Sequence, residues 1–599
     1  MKKELNESTR EIIRYALIEA ANEMKIKLIK MSVDTLFYEA KDFSVGLFNS
    51  KGEMLSQAAG LPHFLGNLGQ SIKETAKDIG GFDKFKPGDV YITNDPYSAT
   101  LHINDMTVIY PIFWDDELIA FSVARGHWSG IGAAEGVQVV SADNMFKEGN
   151  VFKSIKLWGR GKLNYEVMKI ITYNCRIPDK IERDLYAQRA ACYVGEQRLK
   201  SLVKKYGKER FFDYTDAILD HAERFARNNI EKIPDGKYEA SGYWDDNGVN
   251  LDIPIPIHVK VIVKGDEVTI DLTGSSKRVP GSANCGRTQS ETECRWAYCA
   301  IVAPFLPTNE GIFRPLRVII PEGSIFNAKK PDATYLGYGP ADVAKDLIYT
   351  ALAPAIPKKV CAPNYGQMEN GAFYGVWPKI QEFWYGWVMM AGGTGGNYYR
   401  DGQNAMTFGD LSNEPQEKIE RCYPMNIIKY ALPHDSEGAG KHRGGFGLLC
   451  EVQIVDKRWS DDQGIKEARI CSYAGRGKNA PTWGILGGES PPLPNYIKVN
   501  PDTPQEVDGF RRSGYQLKVG DIIRFYACGG GGYGDPLERD VKLVQEDVRE
   551  GLVSLKRARE TYGVILDPKT YKVRLKETKK LRQELALIKK GENPRIRKN

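Results

Sequence analysis

The sequence predicts a mixed α/β protein of the α+β kind, and three observations carry that expectation. Apolar runs of strand length, bounded by Gly, Asn and Asp turns, recur through the first 163 residues behind one amphipathic helix. A stretch with apolar residues at three- and four-residue spacing follows, and then the composition turns β-like and rich in Gly and Pro. These signals divide the chain into an N-terminal α+β domain (1–163), a helical segment (164–233), a glycine-rich, β-dominated domain (234–536) and a helical, basic C-terminal tail (537–599).

The first helix is marked by Ser8 and Glu11 at capping-box spacing, with Ile12, Ile13, Ala16, Leu17, Ala20, Ala21 and Met24 at helical spacing behind them. DFSVGLF, opened by Asp42, reads as a strand that turns at Asn49-Ser50-Lys51-Gly52 and returns as a hairpin. GLPHFLGNLGQSIKETAKDIG gives a loop and a short amphipathic helix, and KPGDVYITNDPY a turn and a further strand. Met106 to Phe113 and Leu118 to Ala124 flank the polar Asp115-Asp116-Glu117, the pattern of an antiparallel hairpin. YEVMKIITYN, IERDLYAQRAACYVGEQRLKSLVKKYG and ERFFDYTDAILDHAERFARNNIEK supply the second segment's helices, with His221 a surface or packed residue of the last. Past Pro234, DIPIPIHVKVIVKGDEVTIDLTGS alternates as paired strands around Lys264-Gly265-Asp266, and a helix interrupts the β pattern near SETECRWAYCAIVAPF. LERDVKLVQEDVREGLVSLKRARETYG restores the helical period before the charged tail, and no internal repeat is visible.

Composition bounds the function. The net charge of +6 is the small remainder of 83 basic and 77 acidic side chains, with the excess concentrated from Lys572 to Asn599, so it describes a solvated tail and not a nucleic-acid-binding field. No run reaches the roughly 18 apolar residues of a membrane span, and the N-terminus lacks an apolar signal core, so a cytoplasmic protein is expected. Ten cysteines without a CxxC pair indicate reduced, buried thiols. AGGTGGN (391–397), HRGGFG (442–447) and CGGGGYGDP (528–536) match neither GxxxxGK[ST] nor a GxGxxG between strand and helix. They read as tight backbone corners, and any ATP belongs to a partner subunit.

One segment points to chemistry. If the hairpin turns near Asp115, residues whose numbers sum to about 231 face each other, which sets Asp105 opposite Gly126 or His127. His102 lies one turn of loop before Asp105, so three ligand types converge in a chain with only seven histidines. Two imidazoles and a carboxylate suit zinc, manganese or iron(II), with strand-end capping as the alternative role. Asn94 and Asp95, in an Asn-Asp-Pro turn, brace the ligand loop or touch substrate, and Trp128 beside His127 is a candidate pocket wall.

YEAKDFSVGLFNSKGEML, GDVYITNDPYSATLHINDMTVIYPIF, ARGHWSGIG, YPMNIIKYALPHDSEGAGKHRGGFG, CGGGGYGDPLERD and EDVREGLVSLKRARETYGV resemble, in that order, the hydantoinase B/oxoprolinase family. That family includes the B-type chains of N-methylhydantoinases, the matching half of 5-oxoprolinase, caprolactamase and the metal-bearing subunits of acetone and acetophenone carboxylases. The resemblance implies metal ligands at Asp42, His102, Asp105 and His127, with Glu39 three residues before Asp42 as its competitor. It also implies a hydantoinase A-type ATPase partner of actin/Hsp70-like fold that brings ATP and Mg, and it allows a small third subunit. Two departures bear on the substrate: Ser98 to Leu101 fill a stretch where many relatives have paired glycines, and Gly130 stands where many carry an aspartate. The implied reaction is hydrolytic opening of a cyclic amide through a phosphorylated carbonyl. ATP-dependent ketone carboxylation is the alternative, and a noncatalytic scaffold subunit the second.

Overall fold

The computed structural model describes residues 5–64, 66–366, 370–456, 464–465 and 467–589. Helix α1 spans Glu7–Met31 and buries Ile13, Leu17, Ala20, Ala21, Met24 and Leu28 along one stripe. Its cap is Asn6, whose side chain accepts from the Thr9 amide at 3.0 Å, and not the Ser8–Glu11 box. Asn6 holds the extended backbone a cap requires, whereas Ser8 already lies in the first helical turn.

The first seven strands are β1 Phe43–Asn49, β2 Met54–Gln57, β3 Val90–Thr93, β4 Asp105–Trp114, β5 Glu117–His127, β6 Ile155–Gly159 and β7 Lys162–Leu163. They form one antiparallel sheet in the order β2-β1-β5-β4-β3-β6-β7. Both of its faces are covered. Val45, Leu47, Val108, Ile112, Ala120 and Ala124 enter a core shared with α1 and with α2, Pro178–Tyr206. Their neighbours Phe48, Ile109, Phe121 and Val123 point the other way, into a second core beneath the helix at Leu68–Ile79. Since alternate residues of a strand face opposite sides, burial on both sides demands the unbroken apolar runs seen in the sequence.

Helix α3, Lys208–Ile230, leads to a second sheet of β8 Gly236–Trp244, β9 Ile255–Lys264, β10 Glu267–Asp271 and β11 Leu316–Ile319, in the order β11-β10-β9-β8. Against it pack α4, Arg287–Val302, the helix expected near Ser290, and α5, Tyr338–Leu352. Helix α5 departs from the β-dominated reading of this stretch. Thirteen of its residues are buried, the charged Asp342, Lys345 and Asp346 among them, so it lacks the exposed polar face that marks a surface helix, and its start reads Gly337-Tyr338-Gly339-Pro340. The remaining nine strands, β12 Asn370–Val376, β13 Phe383–Met389, β14 Met425–Ala431, β15 Leu448–Ile454, β16 Glu467–Tyr473, β17 Tyr496–Val499, β18 Val507–Asp508, β19 Arg511–Lys518 and β20 Ile522–Ala527, form two sheets, β13-β12-β16-β19 and β14-β15-β20-β17-β18. The C-terminal helices are Val541–Arg549, Leu555–Glu560 and Leu575–Lys589; the end of the basic tail, 590–599, lies outside the described residues.

The three glycine-rich loops pack backbone to backbone. A Cβ on Gly393 would stand 2.0 Å from the Gly445 carbonyl oxygen, and one on Gly530 would stand 1.9 Å from that of Thr394. The Gly445 amide donates to Thr394 O, Gly530 to Gly445 O and Gly393 to Cys528 O, at 2.8–3.1 Å. These loops spend their amides on one another, which is why glycine is needed and why they do not present a row of amides to a phosphate.

Candidate metal centre

The β4–β5 hairpin pairs Asp105 with His127 directly, with a register shift at Ile112/Phe113. Two backbone devices deliver the other two side chains. His102 and Asp105 close a turn in which the Asp105 amide donates to His102 O at 3.1 Å, and the His102 amide donates to Asp105 Oδ2 at 3.3 Å. Lys41 adopts a φ of 61° just before β1, and the His127 amide donates to Asp42 O at 3.0 Å, so Asp42 sits beside His127. Gly126 is required for this approach, because a Cβ there would lie 2.0 Å from the Phe37 ring.

One ligand atom each from His102, Asp105 and His127 lies within 4.8 Å of the others. His102 Nδ1 is 3.3 Å from Asp105 Oδ2, and His127 Nδ1 is 3.6 Å from Asp105 Oδ1. Ligands about 2.0–2.2 Å from one zinc ion stand roughly 3–4 Å apart, so the spacing fits a shared cation. Asp42 is outside this tightest trio but lines the same cavity. Glu39 does not line it; its carboxylate pairs with Lys418 at 3.3 Å.

Three buried polar atoms here, His102 Nδ1, Asp105 Oδ1 and Asp42 Oδ1, lack a hydrogen-bond partner. Orphaned buried atoms are expensive, and three facing one cavity form a donor set that a cation satisfies. The electrostatics agree. Burial is the largest influence on His102 and lowers it to about 4, against the opposing pull of Asp105, so the imidazole is neutral. Burial pushes Asp42 up to about 6, with the nearby His127 working against it. Burial would also raise Asp105, but His102, His127 and Arg125 together hold it below the ordinary carboxylate value. For His127 burial is again the largest influence and opposes charge, yet its carboxylate neighbours Asp105, Asp42 and Asp34 outweigh it and raise the group.

Supports surround the trio. Arg125, fully buried two residues before His127, donates to Thr107 Oγ1, Asn67 Oδ1, Ser71 Oγ and the Ala99 carbonyl at 2.6–2.8 Å, tying β5 to β4, to the helix at Leu68–Ile79 and to the ligand loop. Asn94 bridges the loop through its side chain, donating to Ile103 O and Asn150 O and accepting from the Phe152 amide. Asp95 accepts from the Tyr97 amide and the Ser98 hydroxyl. Neither lines the cavity. Trp128 does not wall it: the indole is buried against α2 and donates to Gln188 Oε1 at 3.1 Å. The aromatic walls come from elsewhere: Tyr335 stacks on the His102 ring at 5.3 Å, Trp387 meets His127 edge-on at 6.1 Å, and Tyr338, Phe408 and Tyr473 complete a cavity of about 50 Å³.

The sequence profile of the Hydantoinase B/oxoprolinase family matches residues 6–536. The chain belongs to this hydantoinase B/oxoprolinase family. It is 32% identical over 576 residues to the beta chain of caprolactamase from Pseudomonas jessenii, covering 93% of this chain and 96% of that protein. It is 29% identical over 590 residues to the B-type chain of a putative D-/L-hydantoinase from Pseudomonas sp. (strain NS671), covering 94% and 96%. The crystal structure of the ATP-dependent caprolactamase from Pseudomonas jessenii superposes with a TM-score of 0.87 at 30% identity, over 97% of this chain and 100% of that one. Nucleotide-free acetone carboxylase shares the fold, with a TM-score of 0.86 at 18% identity over 98% of this chain and 84% of that one.

In this hydantoinase B/oxoprolinase member the cavity also recruits His63 and six aromatic residues, Phe64 among them, that the sequence does not assign. The only signal for His63 is a histidine between Pro62 and Phe64 in a chain poor in histidine; nothing in its spacing connects it to His102. Gly130 has a φ of 69°, a conformation glycine adopts without strain. No described helix is long and apolar enough to cross a membrane.

Proposed function

We propose that this chain is the metal-bearing B-type member of an ATP-dependent enzyme complex that opens a cyclic amide such as a hydantoin, 5-oxoproline or a lactam. The observation that carries the proposal is the donor cluster Asp42, His102, Asp105 and His127, three of whose residues leave a buried atom unpartnered, inside an otherwise aromatic cavity. Two imidazoles with two carboxylates suit zinc, manganese or iron(II). An ion bound there supplies a Lewis acid and lowers the pKa of water. The chain's own residues bind and orient: Tyr335 and Trp387 hold the histidine rings, and Tyr338, Phe408 and Tyr473 offer flat apolar faces to a small ring while excluding bulk water.

ATP and Mg enter through an A-type partner of actin/Hsp70-like fold. The partner is supported by relatives whose names mark them as the B or beta member of a complex, and by glycine loops whose amides are consumed internally. An amide carbonyl resists water, and phosphorylation of its oxygen by the partner creates an electrophile that this site completes.

The test is ATP consumption by the chain co-expressed with its ATPase partner, first with hydantoins, 5-oxoproline and lactams without bicarbonate, then with ketones and bicarbonate. Turnover of a cyclic amide without bicarbonate is expected. Turnover that requires both ketone and bicarbonate would replace this reading with carboxylation. Full activity of a complex whose B-type chain holds no metal would make the chain a scaffold.

A further inference from the structure

A second histidine lines the same cavity. His63 belongs to the single turn Pro62–Phe64 and is buried. Its Nδ1 lies 2.5 Å from Oε1 of Glu293, a fully buried carboxylate on α4 that also accepts from Gln289 Nε2 at 2.9 Å. The ring is boxed by Trp296, Phe408 and Tyr338 at centroid distances of 5.4, 5.2 and 6.2 Å. Tyr338 is also 6.1 Å from the His102 ring, so one tyrosine neighbours both histidines. With Nδ1 engaged by Glu293, the nitrogen His63 has left for the cavity is Nε2. A base fixed by a buried carboxylate, with its other nitrogen free toward a pocket, is the arrangement of a proton-transfer group. Burial opposes charge on His63, but Glu293 outweighs it and raises the imidazole above its ordinary value.

We infer that His63 is a catalytic acid, whose Nε2 delivers the proton to the departing ring nitrogen in the reaction proposed above, on which this inference rests. Water adds across the C=N bond of the O-phosphorylated amide, placing hydroxyl, phosphate oxygen and ring NH on one carbon. Two bonds can then break. If C–N breaks, its electron pair goes to nitrogen, which takes the Nε2 proton and leaves as an amine. The hydroxyl becomes a carbonyl, its proton returns through solvent to His63, and a second water splits the acyl phosphate into carboxylate and phosphate. If C–O breaks instead, the pair leaves on phosphate and the cyclic amide is restored, so ATP is spent without ring opening. Without that proton the nitrogen would have to leave as an amide anion, a far worse leaving group than phosphate. Acid at nitrogen therefore decides whether ATP hydrolysis is coupled to product.

The decisive quantity is ADP formed per ring opened, measured on the intact complex with a cyclic amide. The wild type is expected near one. His63→Asn, whose side-chain amide still donates to Glu293, is expected to slow ring opening by about 100-fold or more. ADP formation should continue, so the ratio rises above about ten while metal content per chain stays at the wild-type value. Glu293→Gln should raise the ratio less. A variant that loses ADP formation and ring opening together, with the ratio still one, would reduce His63 to a structural residue and overturn the inference. Should His63→Asn not fold, a ratio of one in Glu293→Gln overturns it equally. Failure of the wild type on every cyclic amide would instead remove the ring-opening reading itself, and this inference with it.

Discussion

The two sides of the cavity pair their charges differently. On the hairpin wall, Asp42, His102 and Asp105 each leave a buried polar atom without a partner. Behind the side that carries His63 and Tyr338, each charge on α4 and α5 named here meets an opposite one: Glu293 with His63, Lys345 with Asp342 and Asp346, and Arg476 with Asp346 at 2.6 Å. Lys345 also lies 4.2 Å over the Trp296 ring. Both sides keep buried polar atoms without a hydrogen-bond partner, Glu293 Oε2 and Arg476 Nε among them; what differs is charge, since burial is tolerable when a charge is paired and, among the described residues, Asp42 has no ion-pair partner, which is where the proposed cation would act. On the proposed reading the contrast separates a side that would hold an ion from one that would manage protons.

The sharpest way to break this comparison is to delete one ligand. His127→Ala is expected to abolish stoichiometric metal and to lower ring opening by about 1000-fold or more, with melting of the metal-free chain little changed. Metal analysis after dialysis checks it, and a variant that keeps its metal would place the ion elsewhere. Asp42→Asn removes the carboxylate outside the tightest trio, and about 10–100-fold weaker metal affinity is expected from competition with a chelator.

A third test concerns the support of the aromatic wall. Glu148 accepts from the Thr334 and Tyr335 amides at 2.8–3.1 Å, and so fixes the ring that stacks on His102. Burial raises Glu148 to about 8, against the lowering effect of those hydrogen bonds. An acid whose folded-state value lies above its unfolded one contributes stability that is full below about 4.5 and lost as pH rises through about 8. Urea unfolding of the metal-free chain should therefore show stability falling across that window. Glu148→Gln should flatten the slope and cost about 1 kcal/mol at pH 5, where the wild-type carboxyl is neutral. An unchanged slope would remove Glu148 as its source. The smallest effect is expected from Glu39→Gln, which breaks only a partly exposed pair with Lys418. Metal affinity should change by less than about twofold; a loss as large as that of Asp42→Asn would exchange the roles of the two carboxylates.

Much of the hairpin wall is legible in the sequence because its information is local. Ten residues of β4 and eleven of β5 flank one short turn, so counting from Asp115 comes within one residue of the Asp105–His127 pair that forms. Asp42 becomes a candidate only through resemblance, since its place beside His127 depends on β1 pairing with β5 across about 80 residues. Trp128 does not form the wall its position suggests, because adjacency to His127 does not say which way a side chain points, and Gln188 on α2 claims the indole.

By itself the sequence determined the strand and helix periods, the hairpin register and the chemical identity of the donors, because periodicity, turn chemistry and short loops act over a few residues. Tertiary structure alone decided what faces those donors. Helix α5 hid its period by being buried all round, the glycine loops proved to be sites of mutual backbone contact, and Tyr335, Trp387, Phe408 and Tyr473 reach His102 and His127 from more than 200 residues away. The physical reason is the range of the interactions: hydrogen-bonded turns are encoded by neighbours, whereas the packing that leaves some buried charges matched and others open is settled only when the sheets close on one another.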